Sequence, residues 1–270
     1  MDKHTKTNLG MWNRLVEINM KSKLYDLEGF KSGKSSLSPI QRSEIGSKVI
    51  GKSVLHLQCH FGMDTISIAR LGAKAVTGVD FSPVAISHAR SLAREMKLEK
   101  KVRFLCSDVY DLPDSLKGQF DFVYTGGGAL FWLKDLDEWG RIVARALRPN
   151  GTFYIIEFHP FSNTMDEDAE EPRFRYPYFH GTQPVINKFH GTYSDPESDF
   201  EGEEHNWGFG MGELIGSLVN AGMRIGFLHE FTSVGYKRFP FLTKRKDGRW
   251  HWRDSKISIP LEFSLMATKG

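Results

Sequence analysis

The chain has little of several features that mark whole classes of protein. Its 270 residues include two cysteines, Cys59 and Cys106, which form no CxxC pair, so nothing indicates a disulfide framework and a reducing cytoplasm is the expected location. No apolar run approaches the length of a membrane span, and the first residues lack the apolar core of a signal peptide. The formal net charge of +3 is too small to indicate a nucleic-acid partner by itself. We therefore expect a soluble, cytoplasmic protein that has no membrane partner.

The pattern that is present begins with residues 53–80, which read SVLHLQCHFGMDTISIARLGAKAVTGVD. The apolar run at 54–57 predicts a buried strand, residues 58–62 predict a tight loop, and apolar residues at helical spacing predict a helix that ends at Gly72. A second apolar strand follows and ends at Asp80. A strand, loop, helix and strand with a carboxylate at the final tip is the unit by which doubly wound sheets hold nucleotide-bearing cofactors.

The alternation of strands and helices continues along the chain. Further strands are predicted at 102–106, 120–124 and 152–158, with helical segments between them. This order favours right-handed crossovers and a parallel sheet, and therefore an α/β fold. Residues 224–231 and 257–268 predict two more strands near the end of the chain.

We interpret residues 1–270 as one domain that has four parts. Residues 1–50 form an N-terminal helical cover, which either covers an edge of the sheet or closes over a ligand. Residues 51–158 form the cofactor-binding core. Residues 159–206 show little periodicity and predict an inserted lid, because few compact domains carry so long a loop without a function. Residues 207–270 supply a C-terminal helix and strands.

The carboxyl ends of the predicted strands are the expected ligand site, as in other parallel sheets. Asp80 lies at such an end, where its carboxylate can accept hydrogen bonds from the hydroxyls of a ribose. Asp80 could instead cap the next helix, but Ser82 is better placed for that role. The preceding loop has Gln58 and His60 where a dinucleotide site needs glycines, and only Gly62 remains. A loop that binds phosphate is therefore disfavoured.

Five segments, in this order, resemble the motifs of the class I S-adenosylmethionine-dependent methyltransferases. VLHLQCHFGMDT is similar to the first motif, VTGVDFS to the ribose-binding second motif, and CSDVYDLP to the third. FDFVYTGGGALFWL is similar to the fourth strand with its loop, and ALRPNG to the turn before strand five. The resemblance implies a Rossmann-like, seven-stranded, mostly parallel sheet with helices on both faces. It also implies an enzyme that transfers a methyl group to a small molecule from S-adenosylmethionine, a cofactor without phosphate.

The resemblance also implies which residues bind the cofactor. Asp80 would hold the ribose, Asp108 would bind the adenine amino group, and Phe81 and Val109 would flank the adenine. The backbone at 125–126 would face the methionine tail. The predicted cofactor site consists of His56, Gln58, His60, Gly62, Asp64, Asp80, Phe81, Ser82, Asp108, Val109, Thr125 and Gly126.

The first motif departs from the family pattern. His56 stands where the family has an acidic residue, and Gln58 and His60 replace two glycines. Asp64, or a polar residue of the N-terminal helical cover, would then replace the lost carboxylate. His56, Cys59 and His60 could also be read as metal ligands, but no fourth ligand is evident, and we predict no metal site.

A catalytic base is needed only where the methyl acceptor must lose a proton. Glu157, His159, His180 and His205 lie near the end of strand five or close to the inserted lid. We predict His159 or His205 as the base, although a histidine in an aromatic segment is more often structural.

Other functions stay open. The chain could bind S-adenosylmethionine without methylating anything, or it could be an NAD-dependent oxidoreductase, which the missing glycines disfavour. Basic and aromatic residues at 237–253 could bind RNA, but a hairpin turn at 246–249 with its aromatic side chains packed inward is favoured. The aromatic residues of the inserted lid would allow a homodimer if they are exposed.

Overall fold

The computed structural model describes residues 1–270. In chain order, the helices are α1 (Lys3–Lys21), α2 (Leu27–Lys31), α3 (Pro39–Ile45), α4 (Met63–Arg70), α5 (Pro83–Glu95), α6 (Leu136–Ala146) and α7 (Met211–Asn220). The strands of the central sheet and of the chain between them are β1 (Ser53–Leu57), β2 (Ala75–Asp80), β3 (Val102–Cys106), β4 (Phe120–Thr125), β5 (Leu147–Phe158), β6 (Val185–His190), β7 (Glu201–Asn206), β8 (Met223–Phe231), β9 (Ser233–Val234), β10 (Leu242–Lys244), β11 (Trp250–Trp252) and β12 (Glu262–Lys269). None of the helices has the length and the apolar character that crossing a bilayer requires.

The central sheet has seven strands in the order β3-β2-β1-β4-β5-β12-β8. Strands β1 to β5 run parallel to one another, and β12 and β8 are antiparallel to their neighbours. The strand order reverses between β1 and β4, which opens a crevice at their carboxyl ends. The predicted seven-stranded, mostly parallel sheet is confirmed.

Two apolar cores lie on opposite faces of this sheet. Because side chains alternate along a strand, Val54 of β1 belongs to the core that contains α4 and α5, whereas Leu55 and Leu57 belong to the core that contains α6 and α7. Trp139 of α6 is fully buried in the second core, against Phe153 of β5. The helices therefore cover both faces, as predicted.

The ends of two strands differ from the prediction. Strand β5 begins at Leu147, directly after α6, so the turn expected at 148–151 lies within the strand. Strand β12 begins only at Glu262, because Pro260 lacks the N–H that would extend the ladder towards residue 257.

The inserted lid is more regular than the sequence indicated. Strands β6 and β7 form an antiparallel hairpin, and β7 packs along α1. The Asn8 side chain bonds to both backbone groups of His205: Nδ2 donates to the carbonyl oxygen at 2.6 Å, and Oδ1 accepts from the N–H at 2.9 Å. At the other end of α1, Asn19 Oδ1 accepts from Ser194 Oγ at 2.6 Å. The inserted lid and the N-terminal helical cover are thus joined by hydrogen bonds.

A small sheet in the order β10-β11-β9 contains the basic and aromatic segment. The predicted turn between β10 and β11 is present, and Gly248 adopts a positive φ of 80° there. Phe239, Phe241 and Trp252 are buried, with ring centroids 4.9 and 5.4 Å apart along the stack. Because these rings pack on one another, they are not available to stack on nucleic-acid bases.

The contact between α6 and α7 depends on Gly140. A Cβ atom at this buried glycine would lie 2.7 Å from the carbonyl oxygen of Ser217. We expect Gly140→Ala to lower the free energy of unfolding by about 1–2 kcal/mol, since the overpacking cost exceeds the gain in helix propensity. Urea denaturation measures this change. In the control Gly216→Ala, where a Cβ would contact nothing, we expect a gain of up to about 1 kcal/mol; equal effects of the two substitutions would contradict the packing argument.

Candidate functional site

A cavity of about 1500 Å³ lies beyond the carboxyl ends of the parallel strands. Its walls come from the loops after β1 to β5, from the N-terminal helical cover, from the inserted lid and from residues 235–240. Seven of the twelve predicted cofactor residues line it: Gln58, His60, Asp64, Asp80, Phe81, Asp108 and Val109. The position agrees with the general rule for ligand sites in doubly wound sheets.

Asp80 is buried at the tip of β2 and faces this cavity. Its Oδ2 accepts a hydrogen bond from the backbone N–H of His60 at 2.8 Å, and its Oδ1 accepts one from Ser82 at 2.9 Å. Burial raises the pKa of Asp80 to about 6, although these hydrogen bonds oppose the shift. Each carboxylate oxygen keeps a further lone pair for a ligand. Asp80 can therefore accept two hydrogen bonds from adjacent hydroxyls.

The loop after β1 has an unusual backbone. Gln58 and His60 have φ angles of 57° and 51°, in the left-handed region that non-glycine residues seldom adopt. The Gln58 side chain donates to the carbonyl oxygen of Ala129 at 2.8 Å, and the His60 ring packs against Trp12 and Tyr25. Burial lowers the pKa of His60 to about 3, so the ring is neutral at physiological pH. Side chains thus fill the space that a glycine loop leaves open for a pyrophosphate.

Asp64 lies on the cavity wall at the start of α4. Its Oδ2 accepts from the Tyr124 hydroxyl at 2.8 Å, and that hydroxyl in turn accepts from Nε2 of Gln41 in the N-terminal helical cover. A Cβ atom on Gly126 would lie 3.4 Å from Asp64 Oδ2, so the carboxylate is next to the backbone after β4. Asp64 therefore supplies a carboxylate to the cavity wall next to the backbone after β4.

Asp108 and its neighbours form the cavity wall after β3. Oδ1 of Asp108 accepts from the backbone N–H of Tyr110 at 3.0 Å and so caps a short helical turn. Oδ2 has no hydrogen bond within the protein. Phe81 and Val109 contribute apolar surface to the same cavity. An apolar slot with one free carboxylate oxygen is suited to an aromatic base that carries an amino group.

The other five predicted cofactor residues do not line the cavity. Nδ1 of His56 lies 2.8 Å from Thr65 Oγ1, and its ring packs behind Tyr124, so burial lowers its pKa to about 3. The remaining four serve the local backbone or are enclosed: Gly62 is the N-cap of α4, Ser82 caps α5, Thr125 is fully buried, and Gly126 is absent from the lining to which Gly127 and Gly128 contribute. No cluster of His, Cys, Asp and Glu side chains suited to a metal ion is formed.

The two histidines predicted as bases also lie outside the cavity lining. His159 is buried, with Nε2 2.9 Å from Glu230 Oε1, and burial lowers its pKa. His205 is held by Asn8, and its ring lies against His4 and Glu203. Neither ring is positioned to take a proton from a molecule bound in the cavity.

Glu157, another candidate from the sequence, is fully buried at the end of β5. Its two carboxylate oxygens accept four backbone N–H groups at 2.6–3.0 Å, from Gly128, Ala129, Leu130 and Phe158. Burial raises the pKa of Glu157, while these four hydrogen bonds oppose the shift. Its role is to hold the loop at 127–130, which forms part of the cavity wall.

A row of tyrosines along the cavity was missed by the sequence analysis. The Tyr25 ring lies 5.7 Å from His60 and 6.4 Å from Tyr193, and Tyr193 lies 6.1 Å from Tyr236. The hydroxyls of Tyr25 and Tyr193 are 2.5 Å apart. These residues come from remote parts of the chain, so no local pattern could have grouped them.

Arg238 continues this wall beyond Tyr236. Its guanidinium lies 4.6 Å from the centroid of the Phe158 ring and donates to Glu167 at 2.8 Å. Its Nη1 also donates to Ser162 Oγ and to Asn163 Oδ1, so Nε and Nη1 are engaged within the protein. The cavity therefore extends well past the residues that were predicted to bind a cofactor.

Comparison with known proteins agrees with this geometry. Residues 54–151 match the family model described as "Methyltransferase domain". The chain is 31% identical over 122 residues to the ribosomal protein L11 methyltransferase of Neisseria gonorrhoeae, in an alignment that covers 45% of this chain and 35% of that protein. It is 29% identical over 128 residues to the magnesium-protoporphyrin O-methyltransferase of Rhodobacter capsulatus, in an alignment that covers 47% of this chain and 54% of that protein. The chain thus spans between a third and about half of the length of these relatives.

Solved structures share the fold of most of the chain. An S-adenosylmethionine-dependent methyltransferase from Mesorhizobium loti superposes with a TM-score of 0.58 at 20% identity, covering 82% of this chain and 93% of that one. This likeness confirms the fold, and the match at 54–151 identifies that part of the chain as similar to a methyltransferase domain.

Substitution of Glu157 tests whether its carboxylate holds the loop at 127–130 in place. Glu157→Gln replaces one acceptor oxygen by a donor, so we expect a loss of about 1–3 kcal/mol for each N–H left unsatisfied. Chemical denaturation measures the loss. Glu138→Gln is the matched control, because Glu138 makes only a surface ion pair with Arg141 and should change stability by less than about 1 kcal/mol. A Glu157→Gln protein as stable as this control would contradict the proposed anchoring.

Proposed function

We propose that this chain is a class I S-adenosylmethionine-dependent methyltransferase and that it transfers a methyl group from S-adenosylmethionine to a small molecule bound in the cavity. The observation that carries the proposal is the position of Asp80, on the cavity wall at the carboxyl end of β2, which is the strand next to the β1/β4 switch point. Its two oxygens are oriented by backbone N–H groups, as a ribose-binding carboxylate requires.

The residues around Asp80 fit the remaining parts of the cofactor. Asp108, with Phe81 and Val109, offers a carboxylate oxygen and apolar surface to the adenine. Asp64 and the adjoining backbone of Gly127 offer a carboxylate and an N–H group to the amino-acid tail. When bound, S-adenosylmethionine supplies a methyl group that is already activated on a sulfonium.

The chain's own contribution to methyl transfer is to position the acceptor and to exclude water. Correct placement of two reactants contributes about 7–11 kcal/mol in favourable cases. The N-terminal helical cover and the inserted lid both contribute to the cavity walls, so they separate the reactants from solvent. The proposal needs no proton transfer to His159 or His205, whose rings lie elsewhere.

The two alternatives receive less support. Binding of S-adenosylmethionine without methyl transfer would leave the long extension of the cavity past Tyr236 without a ligand. An NAD-dependent oxidoreductase would need space for a pyrophosphate at the loop where the Gln58 and His60 side chains lie.

Two further predictions stay open. Phe174 and Phe179 of the inserted lid are exposed, which supports the prediction of a homodimer. The cytoplasmic location remains an expectation that rests on the cysteine content.

The central test is the affinity for S-adenosylhomocysteine, measured by isothermal titration calorimetry. Asp80→Asn removes the charge and one acceptor, so we expect binding to weaken by about 10–100-fold, the worth of a charge-assisted hydrogen bond. Asp121→Asn is the matched control, because Asp121 bonds to Ser53 and Arg148 at the opposite end of β4. Absence of binding by the unaltered protein, or equal affinity of the Asp80→Asn protein, would refute the proposed cofactor site.

The pKa of Asp80 adds a pH dependence to this affinity. Its carboxyl is ionised above a pKa of about 6 and protonated below it, and only the ionised form accepts hydrogen bonds at both oxygens. The affinity should therefore be constant above about pH 7 and decrease by up to about tenfold per unit below pH 6. His60 does not titrate in this range, since its pKa is lowered to about 3. The Asp80→Asn protein should lack the dependence; a wild-type affinity that rises towards low pH would exclude this role.

A further inference from the structure

The hairpin of the inserted lid turns one row of side chains towards the cavity. Glu204 is paired in register with Asn187, and Asn206 with Val185. Alternate residues of a strand point to opposite faces, and Glu204 and Asn206 line the cavity, whereas His205 between them faces α1. The Glu204 carboxylate thus faces the cavity from β7, whose other face is bonded to α1 through His205 and Asn8.

The hydrogen bonds of Glu204 leave one of its oxygens free. Nδ2 of Asn187 donates to Oε1 at 3.1 Å, and Nδ2 of Asn206 donates to the same oxygen at 3.0 Å. Oε2 accepts no hydrogen bond from the protein. The two amides therefore fix the orientation of the carboxylate and leave Oε2 available to a ligand.

The carboxylate of Glu204 also makes no direct ion pair. No lysine, arginine or histidine nitrogen lies within 4.0 Å of its carboxylate, whereas Arg238 pairs with Glu167 and Arg175 with Asp166. Burial raises the pKa of Glu204 and the nearby charge of Glu167 acts in the same direction, whereas the two asparagine hydrogen bonds and the more distant charge of Arg238 oppose the shift. An enclosed carboxylate in this position is stabilised by a cationic donor.

The cavity wall between the predicted cofactor site and Glu204 is continuous, and most of its side chains are aromatic. Tyr25, Tyr193 and Tyr236 follow one another from His60, and Arg238 with Glu167 lies between Tyr236 and the hairpin. The same cavity contains all of these residues. A molecule with an apolar or aromatic body and a cationic end fits such a surface.

We propose that Glu204 recognises the methyl acceptor through Oε2 and that the acceptor is a small amine with an aromatic or apolar body. Identification of the ligand as the acceptor rests on the proposed function, but the amine site itself does not. The Asn187 and Asn206 amides orient the carboxylate, and the tyrosine row contacts the body of the molecule.

The experiment uses amines as direct probes of this site. Benzylamine, phenethylamine and phenylpropylamine are titrated into the full-length protein at neutral pH, with the alcohols and carboxylates of the same carbon skeletons beside them. Ligand-detected NMR measures binding with and without saturating S-adenosylhomocysteine. We expect at least one amine to bind about tenfold or more tightly than its matched alcohol and carboxylate.

Substitutions then assign that selectivity to one side chain. Glu204→Gln should weaken amine binding about tenfold or more without weakening carboxylate binding, and Glu204→Asp should retain part of the preference. Glu201→Gln is the control, because Glu201 lies on the same strand, is exposed and does not line the cavity. Thermal melting and S-adenosylhomocysteine affinity establish that each variant is folded.

The outcomes separate this inference from the proposed function. If no amine is preferred, or if Glu204→Gln leaves the preference unchanged in a folded protein, the amine site is refuted even where S-adenosylhomocysteine binds. If the amine preference depends on Glu204 but S-adenosylhomocysteine does not bind, the amine site stands and methyl transfer is refuted.

Discussion

The hydrogen bond from the backbone N–H of His60 to Oδ2 of Asp80 connects the loop after β1 to the tip of β2. To make it, His60 adopts a left-handed conformation, as does Gln58, at a cost on the order of 1–3 kcal/mol each. The same conformation directs the His60 ring at Trp12 and Tyr25 of the N-terminal helical cover. The hydrogen bond between His60 and Asp80 thus orients the Asp80 carboxylate, and the His60 backbone conformation that it requires determines where the N-terminal helical cover packs. Both of these strained residues lie at the carboxyl edge of the parallel strands, where the cavity opens.

The central fold was predictable because its information is local. Apolar runs ending in Asp80 and Asp108, with helices between them, have few alternatives to a parallel sheet. The hairpin of the inserted lid could not be predicted in this way, since β7 reads EGEEHN and has almost no strand propensity. Its conformation depends on pairing with β6 and on the side chain of Asn8. Such contacts across the chain leave no periodic trace in either segment.

The site residues that lie at the ends of strands could be predicted from the sequence, and the others could not. Asp80 and Asp108 face the cavity because residues at or just beyond the carboxyl end of a parallel strand have little freedom to lie elsewhere. The histidines could not be placed, because the partner of His159 is Glu230 on β8, far along the chain. Glu157 seemed a candidate base by its position, but four N–H groups occupy its oxygens. Burial and partners, which decide between structural and chemical roles, are properties of the folded chain.

The anchoring of the hairpin to α1 has a consequence for the order of folding. Asn8 and His205 are separated by 197 positions, and closing so long a loop is slow compared with forming neighbouring βαβ units. Strands β1 to β4 and their helices involve much shorter separations, so they can condense before the hairpin meets α1. The ligand cavity is then the last region to assemble. A late intermediate of this kind would have native sheet structure but open access to the cofactor edge, and its formation would limit the rate at which binding competence appears.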